Sequence, residues 1–162
     1  MLLPKVQLLK PANAELLQAT RLIFQEYAVQ LGVDLCFQNF DAELASLPGD
    51  YAEPLGALVL AMVDGELAGC CAMRPLTSSD YPNACEMKRL YVRSHHRQLG
   101  LGRQLAEAVM DAARIAGYSH MLLDTLSEME SARALYRDLK FDEIPPYYHN
   151  PIAGAHYLKV DL

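Results

Sequence analysis

The sequence lacks two features that would place the protein on a nucleic acid or in a membrane. Acidic residues outnumber basic ones by 20 to 14, and the resulting net charge of −6 argues against a broad phosphate-binding face. The longest apolar run, residues 55–63, contains Gly56 and stops at Asp64, far short of the roughly 20 residues that cross a bilayer. Residues 1–5 also lack the pattern of a signal peptide. We therefore predict a cytoplasmic protein with no nucleic-acid partner and no membrane partner.

Cysteine is scarce, and the four cysteines lack the spacing of a metal site. Cys70 and Cys71 are adjacent, so on a strand their side chains would point to opposite faces of a sheet. Cys36 and Cys85 each stand alone. Such a set is typical of reduced, mostly buried thiols in a cytoplasmic protein. We predict no bound metal.

Internal repeats and low-complexity tracts are also absent. The chain is 52% hydrophobic and 21% charged, with 9 glycines and 9 prolines, which excludes disordered, collagen-like and mucin-like proteins. Its 162 residues allow one core that buries roughly 70% of the unfolded chain's surface. We predict a single domain over residues 1–162.

Hydrophobic spacing divides the chain into alternating strands and helices. Strands are predicted at residues 6–9, 56–63, 66–74, 84–92, 120–126, 141–144 and 156–161, and helices at 14–31, 41–47, 101–116 and 129–139. Asp64-Gly65 predicts a tight hairpin turn, Asp41 is the candidate N-cap of the second helix, and Gly32 and Gly117 are helix stops. Strands first joined by a hairpin and then through helices predict an α/β fold, a mixed sheet with helices on both faces.

The segment from Arg97 to Arg103 carries the clearest chemical signal. It reads Arg97, Gln98, Leu99, Gly100, Leu101, Gly102, Arg103 and joins the strand at 84–92 to the helix at 101–116. Its two glycines allow a ligand to approach the backbone closely, and the helix start supplies unpaired N–H donors and a partial positive charge. Together with the two arginines, these features favour a phosphate site. The alternative is a loop in which the glycines only satisfy turn geometry.

Two common phosphate-binding motifs fit this segment poorly. A Walker loop ends in Gly-Lys-Ser/Thr, whereas Gly102 is followed by Arg103 and Gln104. A dinucleotide fingerprint needs a small residue where Leu105 stands and a first glycine directly at the strand end. Asp124, at roughly the offset of the ribose-binding acid, keeps the dinucleotide hypothesis open.

The pattern Arg-x-x-Gly-x-Gly after a strand ending Leu90-Tyr91-Val92 resembles the acetyl-CoA signature of the GNAT superfamily of N-acetyltransferases. Supporting segments are residues 86–92, Gly117-Tyr118, and Ala132-x-x-Leu135-Tyr136 followed by Phe141. The resemblance extends over essentially the whole chain and is most specific over residues 86–141. It implies a GNAT-like, mostly antiparallel sheet of six to seven strands with helices on both faces.

The resemblance also implies how acetyl-CoA, the co-substrate, is held. The backbone from Gln98 to Arg103 would bind the pyrophosphate, with Arg97 beside it. Unpaired backbone groups of Leu90, Tyr91 and Val92 would bond the pantetheine arm, and one N–H there would polarise the thioester carbonyl. A neutral amine attacks acetyl-CoA directly in this family, so the reaction requires neither a metal nor a covalent intermediate.

Two side chains are the catalytic candidates. Tyr136 stands where the family keeps a tyrosine that protonates the departing thiolate, and the alternative is a core aromatic beside Leu135. Glu86 is the candidate base that takes a proton from the amine, because it lies on an otherwise apolar strand. The alternative for Glu86 is a structural carboxylate paired with Lys88, Arg89 or another cation.

Other positions carry weaker expectations. His95 and His96 beside the loop are expected to be solvated. His149 either lines the acceptor pocket, acts as a second base, or belongs to a rigid loop in which Tyr147 and Tyr148 serve for packing. Met129 stands where many family members have an asparagine that contacts the cofactor. Lys140 stands where many have glycine, at a helix end that needs a left-handed residue.

The leading hypothesis is an acetyl-CoA-dependent N-acetyltransferase that acts on a primary amine of a small-molecule or amino-acid-like acceptor. The alternatives are an acyl-CoA-binding regulatory module without turnover and an acetyltransferase for protein lysines or N-termini. A nicotinamide-dependent oxidoreductase ranks last. A homodimer is a candidate assembly, because final strands in this fold often exchange edges. Acceptor specificity should come from residues 14–47, 75–83 and 145–155.

Overall fold

The computed structural model describes residues 3–32, 34–35 and 38–162, and the secondary structure of this part of the chain is a seven-stranded sheet with four α-helices. The strands are β1 (Val6–Leu9), β2 (Ala57–Val63), β3 (Glu66–Leu76), β4 (Ala84–Val92), β5 (His120–Leu126), β6 (Asp142–Ile144) and β7 (Ala155–Asp161). The helices are α1 (Ala14–Leu31), α2 (Phe40–Ser46), α3 (Leu101–Ala116) and α4 (Glu130–Asp138). Cys36 and residues 1–2, which entered the sequence predictions, lie outside the described residues.

The strands follow the order β1-β2-β3-β4-β5-β7-β6 across the sheet. Every neighbouring pair is antiparallel except β4 and β5, which run parallel. The turn between β2 and β3 is the predicted one, because Asp64 and Gly65 have φ values of 50° and 82°. These observations confirm a mixed, mostly antiparallel sheet. None of the helices in the described ranges is both long enough and apolar enough to cross a membrane.

Apolar side chains fill both faces of the sheet, as the sequence predicts. One layer packs α3 and α4 against the sheet through residues such as Leu105 and Val109. The other packs α1 and α2 through residues such as Ile23 and Phe24. Cys70 lies in the α1 layer and Cys71 in the α3 layer, both fully buried. This confirms that the adjacent thiols point to opposite faces.

Two element ends differ from the sequence prediction. The second helix begins at Phe40 rather than Asp41, because Phe40 is buried and the Glu43 N–H already bonds to the Asn39 carbonyl. Asp41 therefore sits in the first turn and is not the N-cap. The third strand extends two residues past position 74, since Pro75 and Leu76 still pair with β4. The other ends agree within one residue.

The parallel pair β4 and β5 stays together for only part of its length. Their register covers Ala84–His120, Cys85–Met121 and Glu86–Leu122, and beyond these positions the two strands separate. On its other edge β4 carries a bulge against β3, where Arg89 has a φ of 63°. The bulge and the separation open the middle of the sheet at the carboxyl end of β4.

Lys140 ends α4 in the left-handed conformation that the sequence predicts, with a φ of 74°. The Phe141 N–H bonds to the Tyr136 carbonyl at 3.0 Å and the Lys140 N–H to the Arg137 carbonyl at 3.1 Å, which is a Schellman-type end. A left-handed residue with a side chain is strained, so Lys140→Gly should raise the free energy of unfolding by roughly 0.5–1 kcal/mol. Urea unfolding measures this change. Lys10→Gly, at a position without a positive φ, should give no gain, and an equal gain there would contradict the strain argument.

Candidate active site

A cleft opens where β4 and β5 separate. It encloses about 570 Å³ of space between atoms, its open mouth included. Its lining includes Lys88 and Leu90 from β4, Asp124 from β5, Tyr27 and Leu31 from α1, Tyr136 from α4, and Asn150 and Ile152 from the segment before β7. Two of the predicted specificity segments, 14–47 and 145–155, thus contribute to the lining, whereas 75–83 contributes none of its residues.

The loop before α3 presents exposed backbone at the end of β4. Gln98 and Gly100 have φ values of 70° and 74°, and α3 begins immediately afterwards at Leu101. A left-handed residue turns the backbone sharply, and residues 97–100 are all exposed, so the loop leaves the first N–H groups of α3 accessible. This geometry fits the phosphate site that the sequence predicts.

The fold itself does not require a glycine at position 102. A Cβ there would meet Leu135 Cδ2 at 3.6 Å, an ordinary contact distance, and the φ of Gly102 is not positive. The missing side chain instead leaves the outer face of the helix start open to a ligand. The two predicted cations already have partners in the protein. Arg97 donates from Nε to the Val92 carbonyl at 3.0 Å, and Arg103 forms ion pairs with Asp138 and Glu107.

Tyr136 reaches the cleft from α4. The ring is 5% exposed, lies in the core layer of α3, and packs edge-on against Phe141 with ring centroids 5.6 Å apart. Its hydroxyl makes no hydrogen bond to any described residue, although the residue lines the cleft. Burial, with smaller contributions from Cys71, Tyr27 and Asp124, raises the pKa of Tyr136 well above its usual value. The hydroxyl therefore keeps its proton and can donate it.

The three residues expected to hold the pantetheine arm differ in their surroundings. Leu90 lies at the bulge and lines the cleft. Tyr91 pairs with Cys70 of β3 and packs in the α1 layer, with its hydroxyl donating to Glu26 at 3.2 Å. Val92 pairs with Gly69. Among the three, the cleft lining includes only Leu90.

Glu86 is buried, and its carboxylate already has partners. Arg74 Nε donates to one carboxylate oxygen at 3.0 Å and the Tyr147 hydroxyl donates to the other at 2.6 Å. Burial would raise the pKa of Glu86, but the charges of Lys88 and Arg74 and the Tyr147 hydrogen bond outweigh it and lower the pKa. Glu86 is therefore an ionised, paired carboxylate that is not part of the cleft lining.

Two cations on β4 face the α1 side beside the cleft. Arg89 forms a two-pronged ion pair with Glu43 of α2, both N–O distances being 2.9 Å, and lies over the Phe40 ring. Lys88 donates from Nζ to Gln38 Oε1 at 3.0 Å, and Arg89 donates to the same oxygen at 2.8 Å. These hydrogen bonds and the ion pair join β4 to residues 38–43, which are distant in sequence, and they fix this wall of the cleft.

Asp124 is the carboxylate that does line the cleft. One of its oxygens, Oδ2, accepts from the Tyr148 hydroxyl at 2.6 Å and from Asn150 Nδ2 at 3.1 Å. These bonds draw the segment before β7 over the open end of the sheet. From the sequence, Asp124 was predicted only as a candidate ribose-binding acid, and Tyr148 only as a packing residue.

The remaining sequence candidates are three histidines and Met129. His149 is exposed on the outer face of the segment before β7, in a shallower depression than the cleft. His95 is exposed as predicted, but His96 is 8% exposed, and its ring packs against that of His95 with centroids 4.1 Å apart. The expectation of a solvated His96 is therefore wrong. Met129 lines the cleft, and its sulfur accepts from the Thr125 hydroxyl at 3.7 Å.

The fold and its open sheet have counterparts among known proteins. Residues 17–141 match the model of the Acetyltransferase (GNAT) family. The chain belongs to this family. A GNAT relative, an uncharacterised N-acetyltransferase of Schizosaccharomyces pombe, is 37% identical over an alignment 164 positions long, gaps included, which covers 96% of this chain and 99% of that protein.

Solved GNAT structures show the same fold. An acetyltransferase from Streptococcus agalactiae superposes with a TM-score of 0.77 at 17% identity, covering 97% of this chain and 98% of that one. The structure of yncA from Salmonella typhimurium, with its cofactor acetyl-CoA, superposes with a TM-score of 0.71 at 19% identity, covering 96% and 93%. The GNAT chain described here is accordingly an acetyl-CoA-dependent acyltransferase.

The sequence prediction missed the polar wall of this GNAT cleft. Lys88 entered it only as a partner for Glu86, and Gln38 and Tyr147 had no assigned hydrogen-bonding role. One signal was present, because Glu86 and Lys88 are two residues apart on β4 and must share a face. Two charged residues on one buried face predict polar partners from another element.

Proposed function

We propose that this GNAT protein transfers the acetyl group of acetyl-CoA to the primary amine of a small-molecule or amino-acid-like acceptor. The observation that carries the proposal is the cleft between β4 and β5, where the unpartnered Tyr136 hydroxyl, the buried Lys88 and the half-buried Asp124 line one space among the described residues. A cleft covered by α1 and by the segment before β7 suits a small molecule better than a folded protein surface.

The residues present fit acetyl-CoA, which supplies the acetyl group on a thioester. We assign the pyrophosphate to the backbone from Gln98 to Arg103 and the pantetheine arm to β4 at Leu90, where the strand has left β5. Backbone N–H groups at this edge can hydrogen-bond the carbonyl oxygen as negative charge develops there. As the nitrogen–carbon bond forms and the carbon–sulfur bond breaks, Tyr136 donates its proton to the leaving sulfur. The attacking nitrogen loses a proton to solvent, and the Tyr136 hydroxyl regains one from solvent, so that the overall step balances.

The role of Glu86 stays a prediction, and its contacts favour the cation-paired alternative over the base. Glu86→Gln keeps an acceptor for Tyr147 but leaves Arg74 without its counter-charge. We expect the free energy of unfolding to fall by roughly 1–3 kcal/mol, while the acidic limb of the kcat/KM profile keeps its midpoint.

The sign of the pH effect on stability follows from the lowered pKa of Glu86. The stabilisation from ionised Glu86 is present above the pKa that this group has in the unfolded chain, and it is lost as pH falls through the lower pKa of the folded chain. Glu86→Gln should therefore remove this part of the acid dependence of stability. Urea unfolding between pH 3 and 7, at about one-unit steps spanning the ordinary carboxyl range, measures it. Disappearance of the acidic limb of kcat/KM in the variant would instead establish Glu86 as the base.

Three further expectations belong to the same proposal. They are turnover without a metal, a cytoplasmic location and a homodimeric assembly, and we propose the domain as residues 1–162. A metal chelator should leave turnover unchanged, and light scattering of the purified chain reports its mass.

The proposed function is tested by thiol release from acetyl-CoA, followed with Ellman's reagent. The acceptors are amino acids, polyamines, aminoglycosides and short peptides, and an acetylated product is confirmed by mass spectrometry. Release that depends on a small amine supports the proposal. Release with peptides alone indicates a protein acceptor, and silence across the panel with tight acetyl-CoA binding indicates a binding module.

A further inference from the structure

Lys88 carries a buried ammonium group that has no carboxylate within ion-pair distance among the described residues. The side chain is 6% exposed and lines the cleft. An ammonium has three N–H donors, and the described contacts use one of them, to Gln38 Oε1 at 3.0 Å. The Arg89 guanidinium beside it is already matched by Glu43. A buried cation with unused donors is costly unless an anion completes it.

Gln38 cannot supply what Lys88 lacks. Its Oε1 already accepts from both Lys88 and Arg89, so its two lone pairs are occupied. The neighbouring carboxylate of Glu86 is turned to Arg74 and Tyr147. The two other N–H groups of the Lys88 ammonium therefore have no partner among the described residues and are available to a ligand in the cleft.

Asp124 offers the opposite charge on the other wall of the same cleft. Tyr148 and Asn150 both donate to its Oδ2, and Oδ1 has no hydrogen bond to a described residue. The two side chains stand on the two strands that separate, and no ion pair joins them within the described chain. The charge of Glu86 and, to a smaller extent, that of Asp124 oppose the fall in the pKa of Lys88 that burial causes.

We propose that Lys88 binds the free carboxylate of an α-amino acid acceptor and that Asp124 holds its amine. A zwitterion carries both charges on substituents of one carbon, which matches the free N–H donors of Lys88 and the free Oδ1 of Asp124 in one cleft. The ammonium group then loses a proton before its nitrogen attacks the thioester. The inference rests on the proposed function and narrows its acceptor to a free amino acid. Peptide N-termini and plain amines lack the carboxylate that Lys88 requires.

Turnover with matched acceptors tests the carboxylate site. For each of a panel of α-amino acids, kcat/KM is compared with that of its amide and of its decarboxylated amine. We expect the amino acid to exceed both analogues by roughly 10- to 100-fold, the range for a hydrogen bond to a charged group. Lys88→Met should remove this preference, so that kcat/KM falls by roughly 10- to 100-fold more for the amino acid than for the decarboxylated amine. Asp124→Asn should lower kcat/KM for the amino acid and for the decarboxylated amine alike, because Asp124 is proposed to bind the amine, which both acceptors carry.

Control variants separate recognition from folding. Lys10→Met removes an exposed lysine whose Nζ lies 2.6 Å from Glu53 Oε1. It should leave kcat/KM for all three acceptors unchanged. The melting temperature of Lys88→Met should stay near that of the wild type, since Gln38 keeps its bond from Arg89. Lys88→Arg should retain part of the preference. Equal turnover of amide, amine and amino acid in the wild type would overturn the proposal, as would an equal loss for all three in Lys88→Met.

Binding without turnover keeps the inference separate from the proposed function. Calorimetry titrates each amino acid into the chain saturated with CoA, which has no acetyl group to transfer. Binding that is lost in Lys88→Met supports the carboxylate site even if no amine releases thiol, in which case the proposed function fails alone. If no α-amino acid binds while other amines turn over, the function stands and the inference is wrong.

Discussion

Gly102→Glu is expected to weaken acetyl-CoA binding by roughly 100-fold or more, which corresponds to the loss of at least two hydrogen bonds to charged phosphate oxygens. The new carboxylate would stand at the start of α3, where the exposed loop turns its N–H groups outward. It adds bulk where the pyrophosphate is assigned, and its negative charge repels the phosphates. Isothermal titration calorimetry with acetyl-CoA measures the change.

The loss should not come from unfolding. A glutamate in the first turn of a helix interacts favourably with the helix dipole, and a Cβ at position 102 meets only Leu135 Cδ2 within 4 Å. The melting temperature should therefore stay close to that of the wild type. Gly102→Ala, which adds no charge, should lose far less affinity. Micromolar binding of acetyl-CoA retained by Gly102→Glu would remove the loop from the cofactor site.

Tyr136→Phe should lower kcat by about 10²- to 10³-fold, within the usual contribution of a positioned proton donor. The change deletes one hydroxyl and leaves the ring, which packs against Phe141, in place. Because the hydroxyl has no hydrogen bond to a described residue, no buried partner in that part of the chain is left unsatisfied. The affinity for acetyl-CoA should therefore stay near the wild-type value, and steady-state kinetics with calorimetry separate the two effects.

Tyr118→Phe is the matched control for this variant. The Tyr118 hydroxyl donates to the Leu55 carbonyl at 2.7 Å, and Tyr118 is not part of the cleft lining. It should retain full activity. The raised pKa of Tyr136 keeps its proton in place above pH 10, so no alkaline loss of activity should arise from it near the ordinary tyrosine value. More than half of wild-type kcat in Tyr136→Phe would exclude the tyrosine as the proton donor.

Local rules accounted for the elements that frame the site. Asp64-Gly65 allowed a single turn geometry, and Gly32 and Gly117 ended their helices in the left-handed conformation. The glycines of residues 97–103 placed a sharp turn before α3. In each case the information is carried by a few adjacent residues, so the sequence alone is sufficient.

The polar wall of the cleft depends on residues that are distant in sequence. Gln38 reaches Lys88 across 50 positions, and Tyr147 reaches Glu86 across 61. Periodicity could assign Glu86 and Lys88 to one face, but it contained no information about which helix or loop would pack there. His96 was mispredicted for the same reason, because the ring contact with His95 depends on the turn at Ser94–His96. The separation of β4 from β5 likewise follows from the three-dimensional pairing alone.

The most direct test of the account is a crystal structure of the chain with CoA. The account predicts the pyrophosphate on the backbone of residues 98–103, the pantetheine arm between β4 and β5 beside Leu90, and the sulfur within hydrogen-bond reach of the Tyr136 hydroxyl. The β7 side of the cleft, toward Lys88 and Asp124, should remain open for an acceptor. Pantetheine lying outside the β4–β5 opening, or a sulfur remote from Tyr136, would contradict the assignment of the cleft as the site of acetyl transfer.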